Sequence, residues 1–291
     1  MNQIGIYYAY WEREWEADFS PYLQKVKKLG FDVLELAAGS LLEMSEGQRR
    51  RLAAGAKETG LELTYCIGLP PEYDMASLDG TVRRNGIEYM KRLLEAIYQM
   101  GGSLIGGIIY AAWPGVPRTG IADKTPWWDQ SVESVREVSQ TARDYGILYC
   151  LEIVNRYEQF LLNTAAEGMR FLREVESPNV KLLLDAFHMN IEEDCIGESI
   201  LAAGDAIGHF HIGECNRKVP GKGHMPWREI ADALKGAGYQ GKIVMEPFVR
   251  MGGTVGQNIK VWRNLAPEAE SGMDQDAREA LEFIRGLFTE K

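Results

Sequence analysis

The sequence predicts a single (β/α)8 barrel of the α/β class, and three observations carry that expectation. Eight short apolar runs bounded by turn signals recur along the chain with helical segments between them, the alternation that marks βαβ units and a parallel sheet. Segments that follow the runs are longer than those that precede them, as expected where one end of a barrel builds a site. An open doubly wound sheet would be expected to carry a Gly-rich phosphate fingerprint after its first strand, and YAYWEREW stands there instead.

The first run lies near Gln3 to Tyr8, after which Ser20-Pro21 opens a helix that Gly30 closes. Proline suits a first helical turn and glycine a left-handed cap. The second run, Asp32 to Leu36, precedes a capping box of Ser45 and Gln48 on a helix closed by Gly60. The third, Glu62 to Ile67, leads through a loop from Gly68 to Asp79 into a helix over Thr81 to Met100. The fourth, Leu104 to Tyr110, precedes a helix opened by Thr125-Pro126 and ended at Gly146. The fifth, sixth and seventh are Leu148 to Ile153, Val180 to Asp185 and Ile207 to Ile212, with helices expected at Thr164 to Val175, Ile196 to Ala203 and Trp227 to Lys235. A long loop, Gly213 to Met225, follows the seventh run. The eighth, Lys242 to Glu246, gives way to a loop from Phe248 to Ser271 and a last helix over Asp274 to Phe288. All of 1–291 is read as one barrel domain, a size such barrels commonly reach.

A hydrophobic content of 45% over 291 residues is enough for a large core. The formal charge of -10, with no local basic stripe, argues against a nucleic-acid partner. No run reaches the ~20 apolar residues of a membrane span, so no membrane partner is expected. The cysteines, Cys66, Cys150, Cys195 and Cys215, show no CxxC spacing, and MNQIGIYYAYW has no signal-peptide character. A reduced, cytoplasmic protein is the expectation.

Four of the runs end on a side chain suited to a hard metal ion: CLEIVNR at Glu152, VKLLLDAFH at Asp185, IGHFHIGE at His211 and KIVMEPF at Glu246. One acid at a strand end is more often a helix cap or half of an ion pair. Three acids and an imidazole at four separate strand tips form a set expected of one catalytic divalent cation. In HFH the period of two puts His209 and His211 on one face, with His211 nearer the mouth, so His211 reads as the ligand and His209 as a packed neighbour. A buried acid cluster neutralised by cations lacks partners in these motifs, since only Arg156 and Arg217 lie nearby. The oxygen-rich donor set suits Mn²⁺, Co²⁺ or Mg²⁺ better than a structural zinc. Strands five and eight lie three positions apart around an eight-membered ring, which lets Glu152 and Glu246 flank a bound substrate. A metal chelating adjacent carbonyl and hydroxyl oxygens would acidify the C–H between them, and an acid on the opposite face could return the proton with inversion.

These residues, with IYYAYWEREW, LGFDVLEL, EIVNRYEQ, LNTAAEG, LDAFHMNIEED, GHFHIGECNR, PGKGHMPW, MEPFVRMGG and VWR, give a chain that resembles the D-tagatose 3-epimerase and D-psicose (D-allulose) 3-epimerase family of the xylose-isomerase-like barrels. The resemblance covers nearly the whole sequence. It implies epimerisation of free ketohexoses at carbon 3, with Mn²⁺ ahead of Co²⁺ or Mg²⁺ on Glu152, Asp185, His211 and Glu246, and with the two glutamates exchanging the proton. It further implies that Glu158, His188 and Arg217 hold the first three sugar carbons, and that Tyr7, Trp15, Cys66, Trp113 and Phe248 wall the rest of the pocket. By the same resemblance a homodimer or homotetramer is expected. Three alternatives share the scaffold: an aldose-ketose isomerase, a sugar-phosphate epimerase using Lys222 and Arg250, and a sugar-binding barrel without activity. Metal-dependent nucleases on such barrels need more histidines than the four present.

Overall fold

In the computed structural model, which describes residues 2–117, 120 and 123–289, eight parallel strands close into a barrel in chain order. They are β1 (Ile4–Tyr7), β2 (Val33–Ala37), β3 (Glu62–Cys66), β4 (Leu104–Gly107), β5 (Leu148–Ile153), β6 (Val180–Asp185), β7 (Ile207–Ile212) and β8 (Ile243–Met245). Pairing of β1 with β8 through Ile4 and Ile243 completes the ring. No sheet edge is left unpaired.

The expected helices form with their expected punctuation. Helix α1 (Ser20–Leu29) carries proline in its first turn and ends on Gly30 at φ 96°. After a short α2 (Ser40–Glu43), both bonds of the Ser45/Gln48 capping box are present on α3 (Glu46–Thr59). Asp79 caps α4 (Gly80–Gln99) on the Thr81 amide. Then come α5 (Thr125–Asp144), α6 (Ala165–Val175), α7 (Ala186–Glu192), α8 (Ile196–Ala203), α9 (Trp227–Gly236), α10 (Gly253–Asn258) and α11 (Glu270–Thr289). Three of these were not expected: α10 lies within the loop expected over Phe248 to Ser271, and α2 and α7 lie where no element was assigned. Each is too short to declare itself by a 3.6-residue period. The last helix also starts four residues earlier than expected, at Glu270.

Two cores result. The main one lies between strands and helices, where Leu34, Leu36, Leu182, Leu184 and Phe210 meet the apolar faces of the helices. A smaller plug of Leu104, Cys150 and Leu183, with Leu148 against it, forms a separate cluster. Cys150 and Leu183 stand two residues before Glu152 and Asp185 on their strands, so the period of two aims both acids the same way as the plug. Between β6 and β7 the register slips by one residue: Leu182 pairs with Ile207 but Leu183 with His209. The skipped residue is Gly208, where a Cβ would fall 2.5 Å from the Lys181 Cβ. This slip sets His209 and His211 beside Leu183 and Asp185.

Strand β4 stops at Gly107, short of the expected Tyr110. Gly107 has φ 114°, and a Cβ on it would lie 2.1 Å from the carbonyl oxygen of Ile67. Only glycine fits there. Gly107→Ala is therefore expected to cost at least about 2 kcal/mol of stability, measured by urea unfolding. An unchanged midpoint would contradict the steric account.

Candidate active site and metal centre

The four sequence-predicted ligands meet. One donor atom from each of Glu152, Asp185, His211 and Glu246 lies within 4.8 Å of all the others, and all four residues are buried. Strands β5, β6 and β7 deliver the first three, and Glu246 is the first residue past β8. Asp185 also caps α7: its Oδ1 accepts from the Phe187 amide at 2.9 Å, which leaves Oδ2 for the cluster. Asp185 Oδ2 and His211 Nδ1 are fully buried and make no hydrogen bond within the protein. Buried polar atoms are rarely left so, and a divalent cation would satisfy both. The group present is thus one able to hold a metal ion.

Electrostatics point the same way. Burial pushes the Glu246 carboxyl up to about 7, with Asp185 adding to it against the pull of His211 and Arg217. Burial and the Glu246 charge push Glu152 well up too. For His211, burial works against the imidazolium, but the carboxylates of Glu35, Glu246 and Glu152 outweigh it and hold the ring at about 10. Among the described residues one Arg or Lys reaches the acids: Arg217 Nη1 lies 3.4 Å from Glu246 Oε2 and 3.6 Å from Asp185 Oδ2, and Nη2 lies 3.5 Å from Glu158 Oε1. The expected neighbour Arg156 turns outward, with its guanidinium 2.7 Å from Glu192.

The three residues assigned to the near end of a sugar are also there. His188 Nδ1 accepts from the Asn155 backbone amide at 3.2 Å, so its ring proton is on Nε2. That nitrogen lies 3.6 Å from Asp185 Oδ2 and 3.8 Å from Glu152 Oε1. Burial lowers the His188 pKa, against Glu158 and Asp185, and favours a neutral donor. Glu158 is braced by Trp113 Nε1 at 2.9 Å and Asn155 Nδ2 at 3.1 Å. Arg217 sits on the loop after β7 with φ 61°, and its guanidinium lies 3.6 Å from the Phe187 ring centre. Glu214 organises that loop, accepting from Gly221 and from Trp227 Nε1 at 2.8 and 2.7 Å.

Above the cluster opens a cavity of about 530 Å³. Tyr7, Trp15, Cys66, Trp113 and Phe248 all line it, as do Ile67, Ile108 and Tyr89, which sequence reasoning did not single out. Trp15 meets Phe248 and Trp113 edge to face at 6.0 and 6.4 Å, the arrangement aromatic rings prefer. Burial pushes the Cys66 thiol well up, with Glu152 adding to it, so it serves as apolar wall. The two cations that a phosphate group would use face elsewhere: Lys222 pairs with Asp276, and Arg250 donates to the Trp11 carbonyl. Neither lines the cavity.

Two buried groups escaped the sequence reading. Asn155 orients His188 and Glu158 together. Glu35 on β2 lies 2.8 Å from His209 Nε2 and 2.7 Å from His211 Nε2. An acid inside the apolar run VLELA was the available signal for Glu35.

Fold and cluster together define a barrel equipped to hold one divalent cation beneath an aromatic pocket. The xylose isomerase-like TIM barrel family model matches residues 23–287. The D-psicose 3-epimerase of Ruminiclostridium cellulolyticum is 51% identical over 282 residues, 97% of this chain and 96% of that protein. The D-psicose 3-epimerase of Agrobacterium fabrum is 46% identical, covering 97% of each. The crystal structure of D-psicose 3-epimerase with D-tagatose from Clostridium cellulolyticum H10 superposes with a TM-score of 0.95 at 50% identity, over 98% of this chain and 99% of that one. The chain belongs to the D-psicose 3-epimerase family of the xylose isomerase-like barrels.

A pH dependence follows from these shifts. In the metal-free protein Glu246 keeps its proton to about pH 7 and His211 to about 10, whereas the unfolded chain releases them near 4.3 and 6.5. Stability contributed by those protons is lost as pH rises through the folded values. His188 and His209, both shifted down by burial, are neutral in folded and unfolded chain above pH 7 and add no slope there. Metal-stripped protein should therefore lose thermal stability from pH 7 to 9, and a saturating divalent cation, which takes the protons' place, should flatten that slope. Melting temperatures with and without the cation check this, and a flat metal-free profile would contradict it.

Proposed function

We propose that this protein is a ketose 3-epimerase acting on free ketohexoses, with Glu152 and Glu246 as the proton-exchanging pair. The observation that carries the reading is two buried glutamates, on β5 and just past β8, meeting at one cluster from separate sides of the ring. The similarity to D-psicose 3-epimerases over nearly the whole chain supports it. The D-tagatose named with the related crystal structure agrees with a ketohexose-sized substrate.

Glu152, Asp185, His211 and Glu246 would hold the cation, with Mn²⁺ ahead of Co²⁺ or Mg²⁺ for an oxygen-rich set. Such a cation, when bound, polarises the ketose carbonyl and stabilises negative charge on the substrate oxygens. The protein's own groups do the rest. One glutamate removes the carbon 3 proton from one face of the sugar, and the other supplies a proton to the opposite face of the enediolate, inverting the centre. Burial raises both carboxyls toward the working pH, where an acid exchanges protons most effectively. His188 presents its Nε2 proton, and Arg217 its guanidinium, where charge develops on oxygens 1 to 3. Glu158, fixed by Trp113 and Asn155, accepts a substrate hydroxyl. Tyr7, Trp15, Cys66, Trp113 and Phe248 close around the far carbons by shape. The protein works as a homodimer or homotetramer in a reducing cytoplasm, which suits its four free cysteines. No helix among the described residues is long and apolar enough to cross a membrane.

Incubation of metal-loaded protein with D-fructose, D-psicose, D-tagatose and D-sorbose in D₂O should place deuterium at carbon 3 of the product. Label confined to carbon 1 would mean isomerase chemistry and end this reading. At saturating metal, Glu152→Gln and Glu246→Gln should each lower kcat by roughly 10²- to 10⁴-fold, the usual contribution of a general acid or base.

A further inference from the structure

Beneath the cluster, one buried acid has no part in the proposed chemistry. Glu35 is fully enclosed, and its contacts are two imidazoles and a hydroxyl. Its Oε2 accepts from Thr64 Oγ1 at 2.8 Å and lies 2.8 Å from His209 Nε2. Its Oε1 lies 2.7 Å from His211 Nε2, an ion-pair contact set off the line of an ideal hydrogen bond. Burying a carboxylate at the centre of a barrel costs several kcal/mol unless something requires it.

The geometry of His211 supplies the reason. At 2.7 Å, a bare Nε2 lone pair would repel the carboxylate oxygen, so that nitrogen must carry the ring proton. In the neutral ring, the form able to bind a cation, the other nitrogen, Nδ1, then carries the lone pair. Nδ1 is the one that faces the cluster, 3.8 Å from Glu246 Oε1 and 3.9 Å from Glu152 Oε1, with no hydrogen bond of its own. Thr64 and His209 anchor the second carboxylate oxygen, which fixes where the first must point.

We infer that Glu35 is a positioning residue for the metal: it selects the Nε2–H form of His211, turns Nδ1 into the site, and strengthens that nitrogen as a ligand. A carboxylate behind a ligating imidazole acts in this way, and its loss typically costs ten- to a hundredfold in metal affinity. Glu35 is outside the four-residue cluster and does not line the cavity. The inference rests on the cluster holding a cation and is independent of the reaction carried out there.

Titration of chelator-stripped protein with Mn²⁺ by calorimetry tests it. Glu35→Gln, of the same shape, should remain folded by circular dichroism and bind Mn²⁺ about ten- to a hundredfold more weakly than wild type. Thr64→Val, which removes one of the two contacts on Oε2 and leaves His209 holding it, should lower the melting temperature and cost much less Mn²⁺ affinity than Glu35→Gln. Equal affinity in Glu35→Gln and wild type overturns the inference, as does a loss in Thr64→Val as large as that in Glu35→Gln. If wild type itself bound no cation, the metal reading of the cluster would fail first and this inference with it. Should Glu35→Gln not fold, nitrogen NMR of histidine-labelled wild type with Mg²⁺ decides: the ring whose signals move on titration must carry its proton on Nε2, and a proton on Nδ1 overturns the inference.

Discussion

Unbalanced negative charge in the mouth of a closed barrel is the constraint on which the rest of this structure turns. Glu152, Asp185, Glu246 and Glu35 are all buried, and the one guanidinium among the described residues that meets any of them, that of Arg217, stands 3.4 Å from Glu246 and 3.6 Å from Asp185. Each ion taken from water costs several kcal/mol even after relaxation, so one cation cannot carry this group. Protons fill the deficit in the metal-free protein, which is why Glu152, Glu246 and His211 all hold theirs above the ordinary range. A divalent cation would fill the same deficit and displace them. Metal affinity, acidity and fold stability are therefore three readings of one charge balance.

The barrel makes that balance tolerable by fixing where the charges point. Inward side chains on β5 and β6 run from an apolar plug to an acid within two residues, and the slip at Gly208 brings His209 and His211 of β7 into line with β6. A one-residue error in that register would turn both histidines toward the helices. Asp185 shows how economically the ends are used, since one of its oxygens caps α7 while the other faces the cluster. The same short helix returns His188 to within 3.6 Å of that second oxygen.

This explains which parts could be read in the sequence. Strands β5, β6 and β7 fall on their expected residues because an apolar run cut off by a charged residue is a local signal, and the same break marks Glu152, Asp185 and Glu246. Capping boxes and closing glycines are local too, and α1 and α3 end where Gly30 and Gly60 require. Helices α2, α7 and α10 have four to seven residues, too few for a period to emerge. Glu35 is hidden for a different reason. Its role is set by Thr64, 29 residues away, and by His209, 174 away, so nothing in VLELA announces it beyond an acid in an apolar strand.

The cavity's walls account for what the sequence leaves undecided about the substrate. Around the near end, Glu158, His188 and Arg217 offer directional contacts held by Asn155 and Trp113. Apart from Glu16, Ser40, Glu43 and Asn258, the rest of the wall is rings, aliphatic groups and backbone, with Trp15 spending its own donor on Asn258 at 2.8 Å. A site that hydrogen-bonds a hydroxyl rejects its absence strongly, whereas an apolar wall separates close isomers by only about 1 to 3 kcal/mol. On the proposed reading, configuration at the reacting carbon is handled by charged groups whose motifs are legible, and configuration beyond it by shape. Shape at that scale depends on the tilt of Tyr7, Trp15, Trp113 and Phe248 against one another, and residue names do not encode tilt. Preference among ketohexoses is thus a matter of small differences in packing, and the reaction itself is a matter of charge.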